Sequence, residues 1–400
     1  MKLRANRFKS PVMQIGLLAL IAGMGPYSAS AYVTAYPAVA ASLGVSVQTI
    51  QHTLTIYLFF FAASSLFAGA IADAIGRKRA LILFTLVFLA GSIICAATPV
   101  YAGLMLGRAL QGIGVSVGGI VAQASIRDRF TGAEADRYTA LMTAMFAISP
   151  GISPLLGVLI TSVASWRAIF LSLALYALVS LALTARFFVD PLPPGERRPF
   201  SLRELAGDWV RGLERPRFFG GVLAHAGSFM GAVLYLAAVT NLAFNVLHVD
   251  VKFFVLETIP LMAVSTLGAF TAHMLTNRWS PDRTIATGMG VMCLGALVGA
   301  VSLFSSHPLE GLLAAPMLYQ VGMSMVSPLM MNANIGDFPR HHAIAASLQQ
   351  TFCTAAFAFG SATWVPVTEM DAGAYVAVMV GAALTGASLW TYGELRRRPA

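Results

Sequence analysis

Charged residues are scarce in this chain. Asp, Glu, Lys and Arg make up 11% of its 400 residues, while 57% are apolar. A soluble domain usually carries about 25% charged residues. The chain also lacks any polar stretch as long as a soluble domain. A soluble globular protein is therefore excluded.

Cysteine is rarer still: the three cysteines, Cys95, Cys293 and Cys353, lie far apart inside apolar stretches. No C-x-x-C spacing, P-loop, G-x-S-x-G elbow or H-E-x-x-H pair occurs. We therefore expect buried thiols, no metal, no cofactor and no enzyme activity.

The net charge of +9 does not indicate nucleic-acid binding, because the basic residues are confined to loops and tails. A basic stripe with interleaved aromatic residues is missing. Positive loops that face the cytoplasm explain the excess better.

What fills the chain instead is a set of twelve long apolar stretches. A helix needs about 20 mostly apolar residues to cross a bilayer. The stretches predict membrane spans at residues 13–35, 51–71, 80–98, 102–124, 139–162, 168–189, 218–244, 253–275, 284–304, 311–335, 342–364 and 372–393. The sequence thus predicts an all-α integral membrane protein.

The lysines and arginines predict its orientation. With the N-terminus inside, 23 of the 26 basic residues are cytoplasmic when Arg186, at the inner end of span six, is counted with the linker; Arg167 and Lys252 are outside and Arg108 is within a span. Basic residues accumulate on the cytoplasmic side. Both termini are therefore predicted to be cytoplasmic.

A polar segment separates the first six spans from the last six. We predict an N-terminal bundle at 1–189, a cytoplasmic linker at 190–217 and a C-terminal bundle at 218–400. The linker contains a predicted short amphipathic helix, in which Ser201 is the N-cap and Glu204 lies at capping-box spacing. In an alternative interpretation, a signal peptide is cleaved after residues 29–31 and eleven spans remain.

The inner loop between spans two and three carries the strongest local pattern, GAIADAIGRKR at residues 69–79. Asp73 can pair with a cation, Gly76 permits a tight turn, and Arg77 and Arg79 are among its cations. Ordinary positive loop charge explains the cations but not this order of residues. The pattern resembles the signature loop of the major facilitator superfamily.

Two further patterns agree with that resemblance. Residues 108–114, RALQGIG, place Arg108 and Gln111 inside span four and resemble the superfamily's R-x-x-Q-G-x-G motif. A charged residue inside a span is costly and by default functional or paired, although backbone carbonyls could also satisfy a structural arginine. Residues 149–157, SPGISPLLG, resemble the antiporter motif of span five, with Pro150, Gly151, Pro154 and Gly157.

Together with Trp166, Arg167 and Phe170, the span-five pattern resembles the Bcr/CflA-type drug-resistance exporters of this superfamily. The resemblance implies two pseudo-symmetric six-helix bundles that rock about a midplane site. It also implies a monomer in the bacterial inner membrane, with membrane lipid, protons and a small molecule as partners and no nucleic acid.

One position departs from that subfamily, whose members typically carry an acidic residue in span one. Ser30 stands where the carboxylate is expected, and the chain has no Asp or Glu before Asp73. Proton coupling through a carboxylate in span one is therefore excluded.

Three residues within the spans remain candidates for coupling. Arg108 would organise it, and His225 and Glu257 could carry the proton. Each carrier has a structural alternative. His225 could be a neutral histidine held by a hydrogen bond, and Glu257 could be a carboxylate at the outer rim that pairs with Lys252.

The substrate cavity is expected to be lined by polar and aromatic residues from several spans. The candidates are Tyr27, Ser30, Tyr32, Gln111, Tyr235, Asn241, Tyr319 and Asn332.

The sequence therefore predicts a secondary transporter that exports small amphipathic or drug-like molecules by proton antiport. A dedicated exporter of one neutral or anionic metabolite, such as an amino acid derivative or a siderophore, is the alternative. Two further hypotheses remain: a non-transporting sensor or scaffold, and a membrane enzyme.

Overall fold

The computed structural model describes residues 11–130, 132–197, 199–241, 251–276, 278–305, 308–336, 342–363 and 372–395. Within these ranges the chain forms fourteen α-helices. They are α1 (Pro11–Val33), α2 (Tyr36–Leu43), α3 (Val47–Ile75), α4 (Arg77–Ala97), α5 (Tyr101–Arg129), α6 (Gly132–Val163), α7 (Arg167–Phe187), α8 (Leu202–Leu213), α9 (Pro216–Asn241), α10 (Val251–Thr276), α11 (Pro281–Ser302), α12 (Pro308–Gly336), α13 (His342–Thr363) and α14 (Ala372–Leu395).

Each predicted span coincides with one long helix, because an apolar stretch in lipid must satisfy its own backbone hydrogen bonds. The largest difference is at α6, which begins at Gly132 rather than near residue 139. Helix α2 was not predicted: it follows α1 after a two-residue break and is capped at its C-terminal end by Gly44, whose φ of 65° suits glycine. Seven of the described helices are long and apolar enough on their own to cross a membrane.

The linker helix α8 confirms the predicted cap, since Ser201 Oγ accepts a hydrogen bond from the backbone N of Glu204 at 3.3 Å. Leu205 is buried, whereas Leu202 is 62% exposed. Arg203 and Arg211 are exposed, as the sequence predicted.

The chain divides into two compact units. The first contains residues 1–205 and 341–351, and the second contains residues 206–340 and 352–400. The predicted domain boundaries at 189 and 218 stay a prediction.

In the first unit, α5 occupies the interior and packs against α1, α3 and α4. Glycine permits these close approaches. A Cβ at Gly114 of α5 would lie 2.5 Å from the Phe88 backbone N of α4. A Cβ at Gly112 would lie 2.2 Å from the Tyr57 carbonyl oxygen of α3.

In the second unit, α12 packs against α9, α10 and α11, and α14 packs against α9 and α11. Its core is rich in methionine, which fills irregular gaps between helices. The buried methionines of this core are Met289, Met292, Met323, Met330 and Met379.

The outward faces of the helices are apolar. On α7, Leu171, Leu175 and Leu178 are each more than half exposed at helical spacing. On α11, Leu294, Leu297 and Val301 are at least half exposed and also follow helical spacing. Continuous exposed stripes of this kind face hydrocarbon in a multi-pass membrane protein.

Candidate functional site

Arg108 lies in the interior of the first unit and is completely buried. Its Nη1 donates to three neutral acceptors: the Ser28 carbonyl oxygen at 3.2 Å, Ser28 Oγ at 3.0 Å and Gln111 Oε1 at 2.8 Å. Gln111 Nε2 in turn donates to Ser92 Oγ at 2.9 Å. Helices α1, α4 and α5 thus hold one edge of the guanidinium.

Two tyrosines cover the guanidinium. The Arg108 Cζ lies 4.3 Å from the ring centroid of Tyr57 and 5.1 Å from that of Tyr32. Tyr57 is fixed by a 2.9 Å hydrogen bond from its hydroxyl to the Gly25 carbonyl oxygen. Aromatic rings stabilise a desolvated cation through their negative faces.

We call the set Arg108, Ser28, Gln111, Tyr32 and Tyr57 the Arg108 site. Arg108 was predicted for coupling, and Gln111 and Tyr32 were among the residues predicted for the cavity. The sequence did not single out Ser28, which supplies two of the acceptors. Ser28 and the predicted Ser30 are two residues apart on α1, so their side chains point in different directions.

A second polar group joins the ends of α3, α4 and α5 to the segment after α7. Arg77 Nη2 lies 2.8 Å from Asp128 Oδ2 and 3.4 Å from Asp73 Oδ1. The Arg77 side chain is 4% exposed, whereas Asp73 and Asp128 are each 25% exposed, so the cation of this triad is buried and its carboxylates are partly solvated. We call these residues, together with Asp190 and Arg197, the Arg77 cluster.

Asp190 completes the Arg77 cluster from a distant part of the chain. Its Oδ2 accepts from the backbone N of Lys78 at 3.2 Å and lies 3.5 Å from Arg197 Nη2. The first turn of α4 has unpaired N–H groups that a carboxylate can cap. Asp190 and Arg197 were not predicted, because nothing in the sequence links them to the 69–79 loop.

Gly76 permits this close approach. Its φ of 96° is unfavourable for a side chain, and a Cβ would lie 2.7 Å from Arg197 Cζ. The predicted gate residues Asp73, Gly76 and Arg77 therefore belong to one compact group. Arg79, the fourth, is exposed.

The span-five motif lies on α6, which packs against α1. A Cβ at Gly157 would lie 2.3 Å from the Ala31 carbonyl oxygen. Ser149 Oγ donates to the Gly23 carbonyl oxygen at 3.0 Å, and Pro154 is half-buried. The side-chain surroundings of Pro150 and Gly151 lie outside what the structure describes.

The other cavity candidates of the first unit occupy different places. The Tyr27 hydroxyl lies 2.9 Å from Ser172 Oγ of α7, and the Tyr27 ring meets the edge of Tyr176. Ser30 is half-buried. Their predicted role in a cavity stays a prediction.

In the second unit, His225 of α9 is buried, and its Nε2 lies 2.8 Å from Ser327 Oγ of α12. Its Nδ1 lies 3.6 Å from Cys353 Sγ of α13. Tyr319 is buried in the methionine-rich core and donates to the Ser228 carbonyl oxygen at 3.0 Å. Asn332 is half-buried on α12.

Three further predicted residues, Tyr235, Asn241 and Glu257, have side chains outside the described part of the structure. Their predicted roles stay predictions.

The chain matches the family model described as the Major Facilitator Superfamily over residues 18–361. It is 30% identical over 219 residues to the uncharacterized MFS-type transporter YdgK of Bacillus subtilis, covering 53% of this chain and 54% of that protein. It is 26% identical over 334 residues to Multidrug resistance protein D of Escherichia coli, covering 81% of each.

Among solved structures, the proton:xylose symporter XylE has the same fold, with a TM-score of 0.75 at 14% identity. The match covers 94% of this chain and 95% of that one. The predicted resemblance and the all-α membrane fold are confirmed. The chain belongs to the major facilitator superfamily.

Proposed function

We propose that the protein is a secondary active transporter that exports small amphipathic or drug-like molecules by alternating access. The observation that supports this most is the kinship with Multidrug resistance protein D over four-fifths of both chains. A polar Arg108 site inside an apolar bundle is consistent with it, because charged groups within a membrane mark substrate or ion pathways.

The proposed coupling is antiport with protons. Arg108 would organise it, and His225 or Glu257 would carry the proton. The geometry around His225 is compatible both with a proton carrier and with a structural histidine, since Ser327 Oγ lies within hydrogen-bond distance of its ring. Glu257, near the outer end of the predicted span 253–275, is the only acidic residue within a predicted span of the C-terminal half.

The Arg77 cluster is proposed to form the cytoplasmic gate. Its ion pairs join the ends of α3, α4 and α5. Charge pairs of this kind hold helix ends together in one conformation and must separate when the ends move apart. Separation and closure of the cluster would then accompany each transport cycle.

The proposed location is the bacterial inner membrane, with both termini in the cytoplasm, because 23 of 26 basic residues then lie inside. We propose a monomer whose partners are the substrate, protons and membrane lipid. No enzyme activity is proposed.

The test is uptake of a panel of amphipathic compounds into inside-out membrane vesicles, with and without an imposed pH gradient. We expect accumulation that collapses when the gradient is removed. Accumulation that does not depend on the pH gradient would contradict proton antiport. If no compound of the panel is transported, export of drug-like molecules is contradicted.

A dedicated exporter of one metabolite is the second candidate. The missing span-one carboxylate favours a neutral or anionic substrate over a cationic one. Growth tests separate the two: protection against many toxic compounds supports drug export, and protection against none supports a single metabolite.

A further inference from the structure

The Arg108 guanidinium has one edge bound to protein and one edge unbound. Nη1 makes all three hydrogen bonds to Ser28 and Gln111. Nε and Nη2 have no hydrogen-bond partner among the described residues, although both are buried. These two nitrogens lie on the same side of the planar group, and this edge binds a carboxylate through two parallel hydrogen bonds.

Among the described residues of the first unit, Arg108 has no ion-pair partner. In the sequence of α1 to α7, acidic residues occur only at Asp73, Asp128, Glu134 and Asp136, all within the terminal turns of their helices. Asp128 follows Arg108 by twenty residues on α5, a distance of about 30 Å along a helix. Among the described residues of this unit, neutral acceptors and ring faces surround the charge of Arg108.

The tyrosine rings define the shape of a ligand that could fill the unbound edge. The Arg108 Cζ lies over the rings of Tyr57 and Tyr32, at 4.3 Å and 5.1 Å from their centroids. A planar anionic group attached to an aromatic or aliphatic body could pair with the edge while its body contacts the rings. An ammonium group at the same place would meet an uncompensated positive charge and be repelled.

We propose that Arg108 binds the carboxylate of an amphipathic monocarboxylate, the substrate class that this transporter exports. This inference rests on the proposed export function, because alternating access is what would open the buried edge to a ligand. A single negative charge on the substrate neutralises the single positive charge of the site, and the Nε–Nη2 fork distinguishes a carboxylate from its amide.

The charge of such a substrate also affects the driving force. A membrane potential of 100 mV, negative inside, favours an outward-moving monovalent anion by about a 50-fold concentration ratio. An exported anion therefore gains energy from the membrane potential even where no carboxylate in span one carries a proton.

The experiment compares three compounds that share a ring and differ in charge: 2-naphthoate, 2-naphthamide and 2-naphthylmethylammonium. Binding to the purified full-length protein is measured by calorimetry, and uptake is measured in liposomes with a potassium–valinomycin potential. We expect 2-naphthoate to bind at least about 10-fold more tightly than the other two. We also expect the imposed membrane potential to accelerate transport of 2-naphthoate toward the electrically positive side of the liposome membrane.

Two variants of the arginine test the fork. R108K keeps the charge but loses the paired donors, and R108Q loses the charge. We expect binding of 2-naphthoate to weaken by about 30-fold or more in R108Q, in the range seen when one partner of a buried charge pair is removed, and by an intermediate factor in R108K. R203Q, on the exposed face of α8, is the matched control and should bind like the parent protein.

The outcomes separate this inference from the proposed function. Transport of the amide or the ammonium compound in preference to 2-naphthoate, or a carboxylate preference that survives in R108Q, overturns the anion site and leaves export standing. Arg108-dependent binding of 2-naphthoate without transport of any of the three supports the site and contradicts export. Absence of 2-naphthoate binding to folded, monodisperse protein overturns the site. If R108Q does not fold, the binding of 2-naphthoate to R108K is measured instead, and a carboxylate preference that R108K retains in full overturns the site.

Discussion

Two buried arginines in the first unit are stabilised in opposite ways. Arg77 is paired with Asp73 and Asp128. Arg108 has neutral acceptors and tyrosine rings around it and no carboxylate among the described residues. The difference follows from where each arginine lies along its helix. Arg77 is the first residue of α4, next to the ends of α3 and α5, whereas Arg108 lies within the predicted membrane span of α5.

Replacing Arg77 tests the triad. R77Q removes the cation that lies within 3.4 Å of both Asp73 and Asp128, and removing one partner of a buried pair costs about 3 kcal/mol. We expect a clear fall in the thermal unfolding midpoint in detergent and a loss of transport.

The aspartate variants D73N and D128N serve as internal comparisons. D128N should destabilise more than D73N, because the 2.8 Å contact is the shorter of the two. An R77Q protein as stable as the parent would show that the cluster does not hold the helix ends.

The proposed proton carriers can be compared by isosteric replacement. H225Q keeps a group that can hydrogen-bond to Ser327 but cannot titrate, and E257Q removes the carboxylate charge. We expect one of the two to abolish the dependence of transport on the pH gradient while leaving substrate binding intact. If both variants keep that dependence, neither residue carries the proton.

At the scale of helices, glycine determines how closely α5 approaches its neighbours. The Cβ of an alanine at position 114 would lie 2.5 Å from the Phe88 backbone N and 2.7 Å from the Phe84 carbonyl oxygen. Backbone atoms cannot rotate away as a flexible side chain can, so α4 and α5 would have to separate.

We therefore expect G114A to destabilise the protein by about 1–3 kcal/mol, the usual effect of overpacking. G16A on α1 is the matched control, since its Cβ would meet nothing within 4 Å. Alanine there favours the helix by up to about 1 kcal/mol. Equal unfolding midpoints for G114A and G16A would contradict the close contact.

The helices themselves were predictable from the sequence, and the contacts between them were not. Apolar stretches and the Ser201 cap are local features, and both appear where predicted. The closeness of Gly114 to Phe88 depends on the rotation of two helices about their axes. Helix α2 was missed because its eight residues are too short to stand out as a span.

For the whole molecule, the predicted orientation makes a labelling experiment possible. In a variant without its native cysteines, V163C and F304C would lie at the outer ends of spans, where the present side chains are 82% and 92% exposed. R79C would lie in the inner loop.

We expect a membrane-impermeant maleimide to label V163C and F304C in intact cells, and R79C only after permeabilisation. Labelling of R79C from outside would contradict the assigned topology, independently of any transport measurement.

Hydropathy along the chain was sufficient to predict the long helices, because this property sums over neighbouring residues. The residue patterns at 69–79, 108–114 and 149–157 were sufficient to identify the superfamily, because each is a local feature of the sequence. Only the tertiary structure decided that Ser28 rather than Ser30 meets Arg108, and that Asp190 caps the helix that begins at Arg77. Polar partners of this kind come from helices far apart in sequence. Their meeting depends on helix rotation and packing, which the order of residues alone does not express.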